Sequence, residues 1–137
     1  MQHFCGSIQI FKYLLLNNVK LTPSLWIYAI HSNNPDIIHI LEENHVNLLN
    51  YEECMKEAIK CHHNNLSEYL QNNYSHICDE NPNAFFNIGL KYYNFSYIQY
   101  DLIKEDTFYM ICMFDYYSFV ELILKDKSID MNQKIIS

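Results

Sequence analysis

A small residue recurs four times along this chain, and this recurrence constrains the fold more than any other feature. Each small residue follows a bulkier residue by four positions and precedes an apolar one by eight. The small residues are Ala29, Ala58, Gly89 and Cys112, preceded by Leu25, Cys54, Phe85 and Phe108 and followed by Ile37, Leu66, Tyr97 and Val120. Two helices approach closely only where a side chain is nearly absent, so the pattern predicts four copies of one helix-turn-helix unit. Units repeated at such a period stack into a solenoid, in which no unit buries its apolar face alone.

Turn residues agree with this repeat. Each Pro follows a good N-cap residue, in the pairs Thr22-Pro23, Asn34-Pro35 and Asn81-Pro82, and Asn50 with Glu53 forms a capping box. Asn17-Asn18, Asn44 and Asn72-Asn73 follow helical stretches, where a left-handed residue is expected.

The first (inner) helices are expected at 24–32, 52–61, 83–92 and 107–114, and the second (outer) helices at 8–16, 35–43, 66–71, 95–104 and 119–125. No segment sustains the alternation of a strand, so the predicted class is all-α.

Three segments, 6–15, 34–43 and 115–132, resemble the second helix of ankyrin repeats, and Ser128-Ile129-Asp130-Met131-Asn132 resembles the G-A-D-V-N that follows it. Thr22-Pro23 retains part of the T-P-L-H-x-A-A signature, with Ala29 two positions late. The chain is most similar to divergent ankyrin-like arrays of unassigned function found in parasitic protists. The resemblance implies inner helices that line a concave surface, outer helices on the convex side, and a family that binds proteins without catalytic residues.

The repeat also predicts the domain organisation. Residues 1–137 are expected to form a single ankyrin-like repeat domain of about four to five repeats, as a fragment of a longer array. Its last outer helix carries Val120, Ile123 and Leu124, and its first carries Ile10 and Leu14, with no complete unit to cover either set. Exposed apolar area of this kind favours association, so end-to-end self-association is a further expectation.

Composition excludes several classes of partner. The net charge is −7 and Arg is absent, which argues against a phosphate-binding surface and hence against nucleic acid. The apolar runs fall short of the ~18–20 residues that span a bilayer, so no membrane partner is expected. Five Cys, an odd number, without a signal-peptide pattern fit a reducing compartment, and the predicted location is cytoplasmic.

The segment Cys61-His62-His63, with His76 and Cys78 further on, has the chemistry of zinc ligands. Its spacing matches no common zinc module, and it lies at a predicted turn, so capping roles are favoured and no metal or cofactor is expected. Cys54 and Cys112 fall at core positions, where a thiol behaves as a small hydrophobe. A metal- or Cys-dependent enzyme using Cys61, His62, His63 and Cys78 remains the alternative function.

The positions between the apolar anchors vary in chemistry, as expected for a surface. The residues two positions before each small residue are Ile27, Lys56, Asn87 and Met110. The residues one position before it are Tyr28, Glu57, Ile88 and Ile111. On an ankyrin-like stack these positions face the concave groove. The candidate partner-binding residues are therefore Ile27, Tyr28, Lys56, Glu57, Asn87 and Met110. The predicted function is a protein–protein interaction module without catalytic activity, whose partner is another protein.

Overall fold

The computed structural model describes residues 8–77, 83–98 and 105–126, and all regular structure in these ranges is helical. The helices are α1 Ile8–Leu16, α2 Leu25–Ser32, α3 Pro35–Glu43, α4 Tyr51–Lys60, α5 Asn64–Tyr74, α6 Asn83–Lys91, α7 Glu105–Met113 and α8 Tyr117–Asp126, with 3-10 turns at Ser75–Ile77 and Phe95–Tyr97. The all-α prediction is confirmed. Within these ranges no helix has the length and apolar content needed to cross a bilayer.

The chain divides into two compact units, Met1–Glu80 and Asn81–Ser137. In the first unit α2 packs on both α3 and α4, α4 packs on α5, and α1 contacts α3. In the second unit α6 packs on the Phe95–Tyr97 turn and on α7, and α7 packs on α8. The predicted outer helix at 95–104 is replaced by this short turn as far as Ile98, and residues 99–104 lie outside the described residues. The expectation of one repeat domain over 1–137 stays a prediction.

Side-chain caps fix the starts of two helices as predicted. The Asn34 side chain accepts a hydrogen bond from the Asp36 backbone N–H, with Pro35 as the first helical residue. Asn50 accepts in the same way from the Glu53 N–H at the start of α4. Thr22 is not an N-cap, because α2 begins at Leu25. The pair Asn81-Pro82 lies outside the described residues.

One turn recurs at the end of six helices. A single residue there adopts left-handed backbone with φ between 50° and 59°, at Asn18, Asn33, His45, His62, Tyr93 and Asp115. The next residue donates its N–H back to the carbonyl five positions earlier, as Asn34 does to Ala29, His63 to Ala58 and Asn94 to Gly89. The expected left-handed Asn is confirmed only at Asn18. His45 takes the role predicted for Asn44, and the segment Asn72-Asn73 is helical.

This turn shows that the predicted repeat is displaced by one residue in its fourth copy. The closing hydrogen bond there runs from the Tyr116 N–H to the Ile111 carbonyl, at 3.1 Å. Ile111 is therefore the equivalent of Ala58 and is fully buried, whereas Cys112 is exposed, contrary to its predicted core position. The same shift places Ile123, not Leu124, in the core, and Leu124 is 51% exposed.

The small-residue prediction is confirmed at Ala29, Ala58 and Gly89, which are buried. At Gly89 the reason is visible: a Cβ would lie 2.6 Å from Tyr97 Cβ and 3.3 Å from the Asn94 carbonyl oxygen. Tyr97 is the anchor eight residues further on, so the small residue and its anchor do meet. A side chain larger than hydrogen would push the following turn away from α6.

Ala58→Leu is expected to destabilise the protein by about 1–3 kcal/mol, because a fully buried Ala leaves no space for three more carbon atoms. Lys56→Leu is the control, since Lys56 is exposed on the same helix and its substitution should change stability by no more than about 0.5 kcal/mol. Urea denaturation measures both. Equal midpoints for the two variants would contradict the proposed alignment of the repeat.

Substitution by Gly is expected to change the stability of the protein in opposite directions at two exposed histidines, one in a left-handed turn and one within a helix. His45→Gly should raise stability by up to about 1 kcal/mol, because left-handed backbone costs a side-chain-bearing residue roughly 1–2 kcal/mol and glycine nothing. His39→Gly, in the middle of α3, should lower stability by about 0.5–1 kcal/mol. Thermal unfolding followed by circular dichroism compares them, and a loss of stability in both variants would contradict this account.

Candidate functional site

The predicted surface residues of the first unit lie on two helices that pack side by side, α2 and α4. Tyr28 is 69% exposed, Ile27 is half-buried and Lys56 is exposed. Lys56 forms an ion pair with Glu52 one helical turn away. The residues next to them along the helices, Ala29 and Met55, are buried. Of the positions predicted to vary, Tyr28 and Lys56 are therefore exposed, whereas Ile27 and Glu57 are half-buried.

Glu57 is the centre of a polar cluster that joins the two helices. Its side chain is only 16% exposed, and its Oε1 lies 2.5 Å from His31 Nδ1 on α2. The Lys60 ammonium donates to Oε2 at 3.2 Å, and the Cys61 thiol donates to Oε1 at 3.4 Å. Cys61 Sγ also lies 3.7 Å from His31 Nδ1. Three potential metal ligands, from His31, Glu57 and Cys61, thus have their donor atoms within 4.8 Å of one another.

The fold assembles this cluster through the ends of the helices. His31 is in the last turn of α2, and Glu57 and Cys61 are four residues apart at the end of α4, hence on one face. The His63 imidazole Nε2 lies 3.2 Å from the His31 carbonyl oxygen, which links the turn after α4 to the end of α2. The last turns of α2 and α4 lie side by side because the two helices pack together.

The cluster determines the electrostatics of its members. Burial raises the pKa of the Glu57 carboxyl, but hydrogen bonds from His31, Lys60 and Cys61 outweigh it and hold that pKa below its ordinary value. Glu57 is therefore ionised at neutral pH. The pKa of the Cys61 thiol is raised, first by burial and then by the negative charge of Glu57.

Of the residues of the alternative enzyme site that the structure describes, only Cys61 belongs to the cluster of donor atoms, together with His31 and Glu57. His62 is the left-handed residue of the turn, and His63 is the N-cap of α5. Cys78 lies outside the described residues. Burial raises the pKa of the Cys54 thiol to about 12, which keeps it protonated and a poor nucleophile at neutral pH.

In the second unit the one-residue shift changes which residues are accessible. Asn87 is exposed on α6 as predicted, but Met110 is half-buried against the core cluster that contains Phe86 and Ile111. Tyr109 takes the place predicted for Met110, two residues before Ile111, and is 62% exposed. Sequence reasoning missed Tyr109 because it aligned Cys112, not Ile111, with Ala58.

The surfaces expected to drive self-association differ between the two units. On α1, Ile10, Tyr13, Leu14 and Leu16 are all exposed. On α8, Ile123 is buried in its own unit, and only Leu124 of the predicted set is a large exposed apolar residue. Association through α1 stays a prediction.

The described residues thus form an all-α protein of short helix pairs closed by a recurring left-handed turn. The chain belongs to the family described as "Domain of unknown function (DUF3447)", which it matches over residues 16–137. No curated protein and no solved structure matches it.

The contact between His31 and Glu57 should couple α2 to α4 energetically. We expect a double-mutant cycle of His31→Ala and Glu57→Ala to give a coupling energy of about 0.5–1 kcal/mol. This value is near the upper end for ion pairs with an exposed partner, because Glu57 is largely shielded from water. The control cycle uses His39 and Glu43, the same residue types within α3, both well exposed and 3.2 Å apart. Its expected coupling is about 0.3 kcal/mol. A coupling no larger for His31 and Glu57 than for this pair would contradict the prediction.

Proposed function

We propose that this protein is a protein-interaction module built as an ankyrin-like helical solenoid and without catalytic activity. The observation that carries the proposal is the exposure of Tyr28 on α2 and of Lys56 on α4, two helices that pack together, while neighbouring residues such as Ala29 and Met55 are buried. A framework of buried residues with a chemically varied accessible face is typical of repeat scaffolds that bind proteins.

The packing of the first unit supports the ankyrin-like arrangement. Helices α2 and α3 form one pair and α4 and α5 the next, with the first helices of the pairs in contact. The second helices meet through Glu42 of α3, whose carboxylate accepts hydrogen bonds from the hydroxyls of Tyr69 and Tyr74 on α5. First helix on first helix and second on second is the stacking expected of a solenoid.

The chemistry of the accessible face suggests the kind of partner. Tyr28 offers a large amphipathic ring of the type that anchors protein interfaces, and Ile27 extends the apolar contact area. Lys56 on α4 is exposed and forms an ion pair with Glu52, so this pair offers both charges to polar groups of a partner. Glu57 contributes little to such a contact, because its carboxylate is engaged within the protein.

Tyr28→Ala tests the proposal against Tyr117→Ala, a matched control in which a Tyr of similar exposure (74%) is removed from the start of α8. Proteins captured by the immobilised chain from a lysate of its native cells are quantified by mass spectrometry. We expect Tyr28→Ala to reduce capture of the specific partner at least about tenfold, as for an interface anchor, and Tyr117→Ala to leave it unchanged.

A photo-crosslinking amino acid at position 28 should form an adduct with the same partner, and one at position 117 should not. Capture that is equally strong for both Ala variants, with no adduct from position 28, would mean that this face does not bind the partner.

A further inference from the structure

We propose that His31, Glu57 and Cys61 form a zinc site that bridges α2 and α4. The proposal is independent of the interaction function, since it depends only on this cluster. It revises the expectation that the chain holds no metal, and its ligands differ from the set Cys61, His62, His63 and Cys78 suggested by the sequence. Only Cys61 is common to both.

The donor set selects the metal. Imidazole nitrogen, carboxylate oxygen and thiolate sulfur are the three ligand types that zinc accepts, whereas Mg²⁺ and Ca²⁺ require oxygen donors throughout. The chain offers an imidazole nitrogen, a carboxylate oxygen and the Cys61 thiol, whose proton is released to solvent when the metal binds, and the three donor atoms lie within 4.8 Å of one another. The donors come from two helices that already pack together, so the metal adds a link to an existing contact.

The spacing of the donor atoms fits tetrahedral coordination. With Zn–S of about 2.3 Å and Zn–N or Zn–O of about 2.0–2.1 Å, the tetrahedron edges that end on sulfur measure about 3.5 Å. The corresponding distances are 3.4 Å from Cys61 Sγ to Glu57 Oε1 and 3.7 Å from Cys61 Sγ to His31 Nδ1. The third edge, from His31 Nδ1 to Glu57 Oε1, is 2.5 Å and must open by roughly 0.8 Å. His31 can make this adjustment by side-chain rotation, because 57% of its side chain is exposed.

Neighbouring groups hold the ligands in place. A metal bound to Glu57 Oε1 leaves Oε2 with the Lys60 ammonium at 3.2 Å, which fixes the orientation of the carboxylate. The His63 imidazole contacts the His31 backbone carbonyl and so supports the end of α2. Since the protein supplies three ligands and His31 faces solvent, a water molecule completes the tetrahedron, and the fourth position is exchangeable.

Cobalt(II) is the probe for this site, because it accepts the same tetrahedral geometry as zinc and reports on thiolate ligation by its absorption. The reduced, full-length chain is titrated with Co²⁺ in the absence of oxygen. We expect a thiolate-to-cobalt charge-transfer band that saturates at one ion per chain and disappears when zinc is added. Cys61→Ser should abolish the band, and Cys112→Ser, which removes an exposed thiol elsewhere, should retain it.

One further variant tests a second ligand, and a matched variant is its control. His31→Gln should weaken cobalt binding at least about tenfold, since even loss of a residue that only orients a ligand costs ~10–100-fold in affinity. His39→Gln, which alters an exposed histidine beside Glu43, should leave the affinity unchanged. Circular dichroism of each metal-free variant verifies that its helices are intact, and Glu57→Gln replaces any variant that unfolds. The proposal is wrong if the wild-type chain gives no charge-transfer band, if the band survives Cys61→Ser, or if His31→Gln, or Glu57→Gln in its place, binds cobalt as tightly as wild type.

Discussion

The helix pairs depend on a close approach of backbone in the last turn of the first helix. At Ala58 the carbonyl accepts the N–H of His63, and the chain reverses through the left-handed His62 before α5 begins. A short side chain at this position lets the second helix return across the first. At Gly89 the approach is closer still, since there is no space for a Cβ. At Ala58 and Gly89 the small residue thus permits a close return of the chain, whereas the fourth copy makes the same turn with Ile111 at this position.

The same turn explains where the polar cluster lies. Because α2 and α4 end in equivalent turns and pack side by side, His31 is brought to Glu57 and Cys61 although it is far from them in sequence. The cluster is at the boundary between two helix pairs, where a bridging interaction resists their separation. A zinc ion held there would strengthen a contact that repeat proteins otherwise form by apolar packing alone.

The accessible face and the cluster have separate roles in this account. Tyr28 and Lys56 are exposed on α2 and α4, whereas Glu57 is largely enclosed and ionised. An interaction surface needs accessible groups, and a metal site needs converging ones. Adjacent positions along α4 supply both, because side chains one residue apart on a helix point in different directions.

The amino-acid sequence by itself determined the helical class, the buried small residues Ala29, Ala58 and Gly89, and the caps at Asn34 and Asn50, because each depends on side chains within one turn or one helical repeat. The sequence did not determine how the fourth copy of the repeat aligns with the other three, because Ile111 is not small. Only the hydrogen bond from the Tyr116 N–H to its carbonyl identifies Ile111 as the equivalent of Ala58. Nor did the sequence identify His31 as a neighbour of Cys61: it pointed to the adjacent histidines, of which His62 is the left-handed residue of the turn and His63 contacts the His31 backbone carbonyl. A signal was present, since His31 and Cys61 follow Ala29 and Ala58 by similar distances. This similar spacing places His31 next to Cys61 only if the ends of α2 and α4 lie side by side. The packing of the helices in the tertiary structure alone decides whether they do.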